Sequence, residues 1–350
     1  MQLDDIVAAV RAAHDRHTPL RVRGGGSKDF YGGLLAGEVL DVSAHRGIVA
    51  YEPTELYLTA RCGTPLAEIE AALAEKKQML ACEPPQFGGQ ATVGGCVAAG
   101  LSGPRRQQAG AVRDFVLGAK LVDGSGQVLN FGGQVMKNVA GYDVSRLLAG
   151  SLGTLGVLAE VTLKVLPQPV AETTLVFECD AAEAIRRLNA WGGQPLPISA
   201  SFWLDGQLWL RLSGAQAAVD AACRKLGGTS AVHGQKHWIS VREQTHAAYA
   251  GKVLWRVAVP STAADLGLDD LRAIEWGGSL RWYGGEQAEI RERATRSGGH
   301  ATLYRAPESL RCREDAFAPL SPALLALHRR LKKAFDPRGI LNPGRLYAEF

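Results

Sequence analysis

Glycine gathers in three short segments in the first half of this chain, at 24–26, 88–103 and 150–156. Helices and strands run poorly through such segments, because glycine loses the most backbone entropy on folding and has no side chain to bury. The chain holds 41 glycines in 350 residues, against about 7% in an average protein, and no three-residue period accompanies them that would make a collagen-like rod. Sixteen lie between Pro84 and Gly156, so the excess is local. Successive peptide N–H groups in turns of this kind form anion-binding nests, and a diphosphate is a common reason for several to converge. Each segment alone reads as a structural turn, and the three together point to a dinucleotide cofactor. The usual phosphate motifs are missing: there is no GxxxxGKS/T loop and no GxGxxG between a strand and a helix. Gly124 and Gly126 are better read as an Asp-Gly hairpin.

The length suits about two domains. An apolar share of 46% can fill real cores, which excludes a disordered chain. A net charge of +4 without a long basic block argues against nucleic acid as a partner. The densest basic cluster, LHRRLKKAF at 327–335, reads as a solvated helix face. Six cysteines are scattered with no CxxC pair, which removes the local ligand spacing of zinc and iron–sulfur sites. Cys62, Cys82 and Cys96 lie among apolar residues and read as packed thiols. The N-terminus carries Asp4 and Asp5 where a secretory signal is basic, and no apolar run reaches 18 residues. Both point to the cytoplasm, with any membrane attachment made through another protein.

The apolar spacing predicts a helix over about 3–16, then strands at 20–23, 39–44 and 56–63. Thr64 and Pro65 are expected to cap and open a helix that ends at Lys76 and Lys77. FVLGAKLVD and QVLNF flank the turn at Asp123, a short helix is expected over about 142–149, and 157–167 reads as a strand. Pro167 and Pro169 mark a domain boundary. Beyond it, LVFECD, SFWLD, LWLRLSG and LWRVAVP read as strands. AAEAIRRLNAW, AQAAVDAACRKLG, ADLGLDDLRAIEW and PLSPALLALHRRLKKAFD read as helices, which makes an α+β lobe. His233, His237 and His246 have spacings that suit a metal only on a helix, and Gly234 argues against one there, so no metal site is expected. No GxSxG or HExxH motif suggests a hydrolase.

VRGGGSK at 22–28, EPPQFGGQATVGGCVAAGLSGPRR at 83–106, RDFVLGAKLVDGSGQVLNFGG at 113–133 and KNVAGYDVSRLLAGSLGTLGVLAEVTLKVLP at 137–167 resemble the FAD-binding domain of the p-cresol methylhydroxylase and vanillyl-alcohol oxidase family. FDPRGILNPGR at 335–345 is similar to the closing motif of its 2-hydroxy-acid branch. The resemblance implies an α+β fold: a two-subdomain FAD-binding domain over 1–168 (subdomains about 1–55 and 56–168), an α+β cap over 169–334, and a C-terminal segment, 335–350, returning toward the FAD domain. It places Arg23, Gly24, Gly25, Gly26, Ser27 and Lys28 in a first pyrophosphate loop. A second would span Thr92, Gly94 and Gly95, with Pro85, Ala99, Ser102 and Gly103 close to the cofactor. Asp143, Gly150, Ser151, Gly153, Thr154 and Gly156 would line the far side, Val157 would offer backbone contacts, and Asn342 would sit at the junction with the cap.

Family members that attach FAD covalently use a histidine in or beside the first loop, and GGGSK has none, so the resemblance implies non-covalent FAD. It also implies an oxidoreductase subunit that converts glycolate, a small 2-hydroxy acid, to glyoxylate by hydride transfer to flavin. The implied partners are a larger FAD-bearing homologue and an iron–sulfur subunit. Such chemistry needs a base for the hydroxyl proton and a cation for the carboxylate, and His300 and Arg305 in SGGHATLYR meet that need chemically. The cap together with the C-terminal segment is short, at about 180 residues, and lacks the histidine cluster of self-sufficient 2-hydroxy-acid dehydrogenases. A flavin-bearing structural subunit and a self-sufficient D-2-hydroxy-acid dehydrogenase remain the alternative readings.

Overall fold

A computed structural model describes residues 1–133 and 143–349 of the chain. The first helix, Leu3–Arg16, buries Ile6, Val10 and Ala13 at the helical spacing, and Asp5 accepts the Gln2 N–H at 2.7 Å to hold its first turn. Its apolar stripe packs on Leu20 and Leu40 of a parallel strand pair, Leu20–Arg23 with Glu38–Asp41, and on Val122, Val157, Ile340 and Leu341.

Next comes a five-stranded antiparallel sheet in the order Ile48–Glu52, Tyr57–Arg61, Val157–Lys164, Val116–Val122, Val128–Gly132. The last two strands form the expected hairpin, with Asp123 Oδ1 accepting the Ser125 and Gln127 N–H groups. Helix Leu66–Glu75 covers the sheet with Leu66, Ile69 and Leu73. Its cap differs from expectation: Pro65 occupies the cap position, and the Thr64 hydroxyl instead donates to the Arg61 carbonyl at 2.6 Å and accepts the Gly47 N–H at 2.8 Å. The short helix expected over about 142–149 spans Val144–Leu147. Residues 137–142 of the KNVAGYD motif lie outside the described residues.

From Ala171 onward an antiparallel sheet of eight strands dominates, in the order Thr229–Ser230, Ala171–Glu178, Gln207–Gly214, Ile198–Leu204, Leu271–Glu275, Leu280–Gly284, Leu254–Ala258, His300–Arg305. One face is covered by helices Ala181–Gly192, Gln216–Leu226 and Ile290–Arg296. The opposite face carries Phe202, Ala273, Trp282 and Tyr304 and packs on Tyr31, Ala99, Leu101 and Leu152 of the first half. The alternation of strand side chains thus turns one set of residues toward the glycine-rich half.

The expected helix ADLGLDDLRAIEW is a correction. Gly267 and Asp270 have left-handed φ of 64° and 58°, and Leu271–Glu275 is a strand paired on both sides. Central strands are buried on both faces, so their apolar runs lose the two-residue alternation that distinguishes them from helices.

Candidate functional site

The three glycine segments meet. A Cβ on Gly25 would fall 1.4 Å from the Gln90 carbonyl oxygen, and one on Gly24 would fall 2.4 Å from Thr92 Oγ1, so the first and second segments touch backbone to backbone. The third is tied to the helix Val93–Ala99 by Gly150 N–H to the Val97 carbonyl at 3.0 Å and Leu152 N–H to the Ala98 carbonyl at 2.8 Å. Between them opens a cleft lined by Arg23, Gly24, Lys28, Thr92, Gly94, Gly95, Ala99, Gly153, Gly156 and Asn342 among the expected residues. Arg21, Asp29, Cys62 and Arg345 also line it.

Among the described residues, none of the five backbone N–H groups from Gly24 to Lys28 donates to another protein group. The two ends of this run, Gly24 and Lys28, line the cleft, whereas Gly25, Gly26 and Ser27 do not; free amides at a cleft wall suit an anion. The second loop differs: Val93, Gly94 and Cys96 donate to the carbonyls of Thr64, Cys62 and Thr92, and Gly95 donates to Thr92 Oγ1 at 3.2 Å. That helix shapes the cleft and leaves the donating to Gly24–Lys28.

The cleft is cationic. Asp29 pairs with Arg21 at 2.5 Å and with Arg23 at 3.8 Å. Burial pushes the Lys28 ammonium below its ordinary value. Its Nζ donates to Ser27 Oγ at 3.3 Å and lies 5.3 Å from the centre of the Phe87 ring, with no carboxylate in ion-pair range among the described residues. Arg345 is pushed down to about 10, first by burial and then by Arg311, and it donates to the Tyr31 and Gly33 carbonyls. Buried cations served by neutral acceptors gain from a bound anion. The residues present therefore fit a diphosphate.

The C-terminal segment closes the cleft. Asn342 Oδ1 accepts the Val22 N–H at 2.7 Å and its Nδ2 donates to the Leu152 carbonyl at 2.6 Å, bridging the first and third segments. Behind it, Arg329, Arg330 and Lys333 of helix Pro322–Phe335 are exposed as expected, and Lys332 alone departs from that solvated face. Lys332 is 5% exposed and donates to the Thr154 carbonyl at 2.8 Å, the Leu341 carbonyl at 2.9 Å and Asp336 Oδ2 at 2.7 Å.

Other expected residues lie off this cleft. The hydroxyls of Ser151 and Thr154 donate back to the carbonyls of Leu148 and Ser151, each at 2.8 Å, and lock the third segment. Asp143 caps the short helix Val144–Leu147 and pairs with Arg146 at 2.7 Å. Val157 turns into the core beside Ile6 and Val10. Gly26, with φ of 69°, turns the first loop past the Arg23 guanidinium, and Gly150 is left-handed at 87°.

Pro85, Ser102 and Gly103 line a second, narrow cavity of about 20 Å³ where the first half meets the eight-stranded sheet. Its opposite wall is Gln244, Arg256, Glu275, Trp276, Trp282 and Tyr304. Glu275 Oε1 accepts from the Tyr249 hydroxyl at 2.6 Å and from Trp282 Nε1 at 2.7 Å. Burial outweighs those two bonds and pushes the Glu275 carboxyl up to about 7. Trp276 donates to the Gly103 carbonyl at 3.1 Å, and the guanidinium groups of Arg106 and Arg256 lie 4.3 and 5.1 Å from the centre of its ring. The halves are also joined by Glu83, which pairs with Arg105 at 3.3 Å and with Arg211 at 2.9 Å.

Neither expected catalytic residue lines either cavity. His300 is exposed at the start of its strand, opposite Ala258. Arg305 donates to the Tyr249 carbonyl at 2.9 Å and lies over the Phe30 ring. Glu275 and Arg256, which sequence reasoning missed, do face the second cavity; a signal was available only for Arg256, the single charge in the apolar strand run LWRVA. Gly234 begins the helix Gly234–Arg242 where a break was expected, and His237 on that helix stacks on Trp209 at 4.0 Å.

The FAD binding domain family matches residues 2–132, and the family of FAD linked oxidases, C-terminal domain, matches residues 318–346. The chain is 48% identical to glycolate oxidase subunit GlcE of Escherichia coli (strain K12), over 98% of this chain and 97% of that one. It is 30% identical to glycolate oxidase subunit GlcD of Bacillus subtilis (strain 168), over 49% of this chain and 37% of that one. A solved structure of p-cresol methylhydroxylase with substrate bound aligns at TM-score 0.72 and 15% identity, covering 100% of this chain and 88% of that one, a likeness of fold.

Proposed function

Because the chain belongs to the FAD-linked oxidases, we propose that it is the FAD-bearing subunit of a multi-subunit glycolate oxidase, acting in the oxidation of glycolate to glyoxylate. The observation that carries this reading is a cationic cleft lined by Gly24 and Lys28, the two ends of a run of amides with no protein acceptor among the described residues, and closed by Asn342. On this reading the amides and Lys28 hold the diphosphate, Arg21 and Arg345 supply long-range charge, and residues 169–334 form the cap over the 1–168 FAD domain. FAD bound there supplies the two-electron acceptor. Non-covalent attachment is supported by the lining of the cleft: no histidine is among its described residues, and burial pushes the Cys62 thiol well up, away from the reactive thiolate.

The partners on this reading are a larger FAD-bearing homologue of the GlcD kind and an iron–sulfur subunit. Among the described residues no helix is long and apolar enough to cross a membrane, so any membrane contact of this part of the complex runs through those partners or a surface. The test is the absorbance spectrum of the purified chain. A flavin spectrum, released on acid treatment and restored by added FAD, is expected, with bleaching by glycolate in the assembled complex. A colourless protein that cannot be reconstituted refutes the reading.

A further inference from the structure

We propose that the helix Pro322–Phe335 is the docking face for the larger FAD-bearing homologue, which meets the apolar stripe of this helix with an apolar groove rimmed by carboxylates. The proposal rests on the functional reading above for the existence of that partner, and it adds where on this chain the partner sits. A GlcD subunit of the same named enzyme is itself among this chain's relatives.

An amphipathic helix on a globular domain turns its apolar stripe inward and its charges outward. This helix does the reverse. Leu324, Leu327, Leu331 and Phe335 recur at intervals of three and four residues, so they form one stripe along its length. None of the four is buried: Leu324 and Leu327 are 50% and 48% exposed, and Leu331 and Phe335 are half-buried. The side chain that the helix does bury is Lys332, tied to Thr154, Asp336 and Leu341. Helical residues advance by about 100° each, which places Lys332 roughly a quarter turn from the middle of the stripe. Seating that lysine against the third glycine segment therefore leaves the stripe at the edge of the protein body. Phe335 at its far end reaches the Phe131 ring at 6.0 Å, while the leucines of the first two turns stay open to solvent.

Charge states the chemistry of the partner. From Phe317 to Phe335 there is no acidic residue, against His328, Arg329, Arg330, Lys332 and Lys333. Arg329 pairs with Glu349, but Arg330 and Lys333 are exposed and have no carboxylate in ion-pair range among the described residues. Arg330 follows Leu327 by three residues and Lys333 follows Arg330 by three, so both border the stripe on its solvent side. An apolar centre bordered by unpaired cations is complementary to an apolar groove with an acidic rim; the centre supplies affinity, and the rim steers encounter and rejects basic surfaces. The stripe is one side chain wide, a ridge that fits a groove between the ridges of another helix. Lying on lipid takes an apolar face open along its width, and here one flank is already turned to the protein body.

The test mixes the purified full chain, loaded with FAD, with the purified homologue and reads their dissociation constant at low and high salt. Leu324→Gln combined with Leu327→Gln keeps good helix formers and should weaken binding by about tenfold or more. Arg330→Glu combined with Lys333→Glu should weaken it by about tenfold or more at low salt and reverse the salt dependence. Both double variants should keep wild-type flavin content, because none of the four side chains is buried. Val232→Ser, at a residue 91% exposed in the second half of the chain, should bind the homologue like wild type. Wild-type affinity in either double variant overturns the proposal. Flotation of the wild-type chain with anionic phospholipid vesicles, lost in double variants that still bind the homologue, overturns it in favour of a membrane. A wild-type chain that holds FAD yet does not bind the homologue also overturns it. A complex that assembles through this helix but never oxidises glycolate overturns the functional reading and leaves the docking face standing.

Discussion

Lys332 is the position where a conservative change should do the most damage far from either cavity. Replacing it with methionine preserves most of the side-chain volume and removes one ammonium that serves Asp336, Thr154 and Leu341 together. Removing one partner of a buried ion pair typically loses about 3–5 kcal/mol, because the other charge stays buried. Asp336 is 1% exposed but keeps two backbone donors, Ile340 at 3.1 Å and Leu341 at 2.8 Å, so the loss should fall near the low end, at about 3 kcal/mol. That corresponds to a fall in melting temperature of roughly 6–12 °C for a domain of this size. The control is Lys333→Met, on the exposed side of the same helix, expected to stay within about 0.5 kcal/mol of wild type. Adding Asp336→Asn to Lys332→Met should restore part of the loss, since the uncompensated charge is then gone. Chemical denaturation of all four proteins reads these differences directly. A loss below about 1 kcal/mol for Lys332→Met refutes the reasoning, and flavin retention should fall with stability because Thr154 belongs to the third glycine segment.

Glu275→Gln should stabilise the protein at pH 8 by about 3 kcal/mol. The folded carboxyl, at about 7, holds its proton more tightly than the unfolded one at 4.5, so wild-type stability falls as pH rises between those values, and the two proteins should converge below the lower one in denaturation measured across pH. Glu83→Gln should lose about 3 kcal/mol or more, because Arg105 and Arg211 are then left buried without their shared carboxylate. Burial pushes Glu83 up, but the two arginines outweigh it and leave its carboxyl below the ordinary range, so the wild-type advantage over the variant should be present at neutral pH and vanish on acidification. Gly25→Ala should destabilise by about 1–3 kcal/mol and empty the flavin cleft, read by melting and by bound-flavin absorbance, since its Cβ would overlap the Gln90 carbonyl at 1.4 Å. Gly88→Ala, with left-handed φ of 91° but open space around it, should keep its flavin.

The site was legible wherever the information is local. Gly24, Gly25 and Gly26 end a strand that could hardly continue, so turn chemistry marked the first wall of the cleft; the helix Val93–Ala99 that Thr92 caps was not legible locally, and Thr92 was placed by the resemblance. The hairpin at Asp123 and the helix Leu3–Arg16 were readable for the same reason, a period or a turn held within a few residues. The strand Leu271–Glu275 was not, because its partners on either side, and not its own pattern, make it a strand.

Charge was the least legible property. RRLKK reads as a solvent-facing cluster until Thr154 and Leu341 arrive on either side of Lys332. Glu275 reads as an ordinary helical acid until Tyr249 and Trp282 enclose it. Spacing along a chain determines which backbone conformations are cheap, and glycine spelled that out here. How far an ionisable group departs from its behaviour in water depends on which distant segments displace that water, and that is a property of the assembled fold.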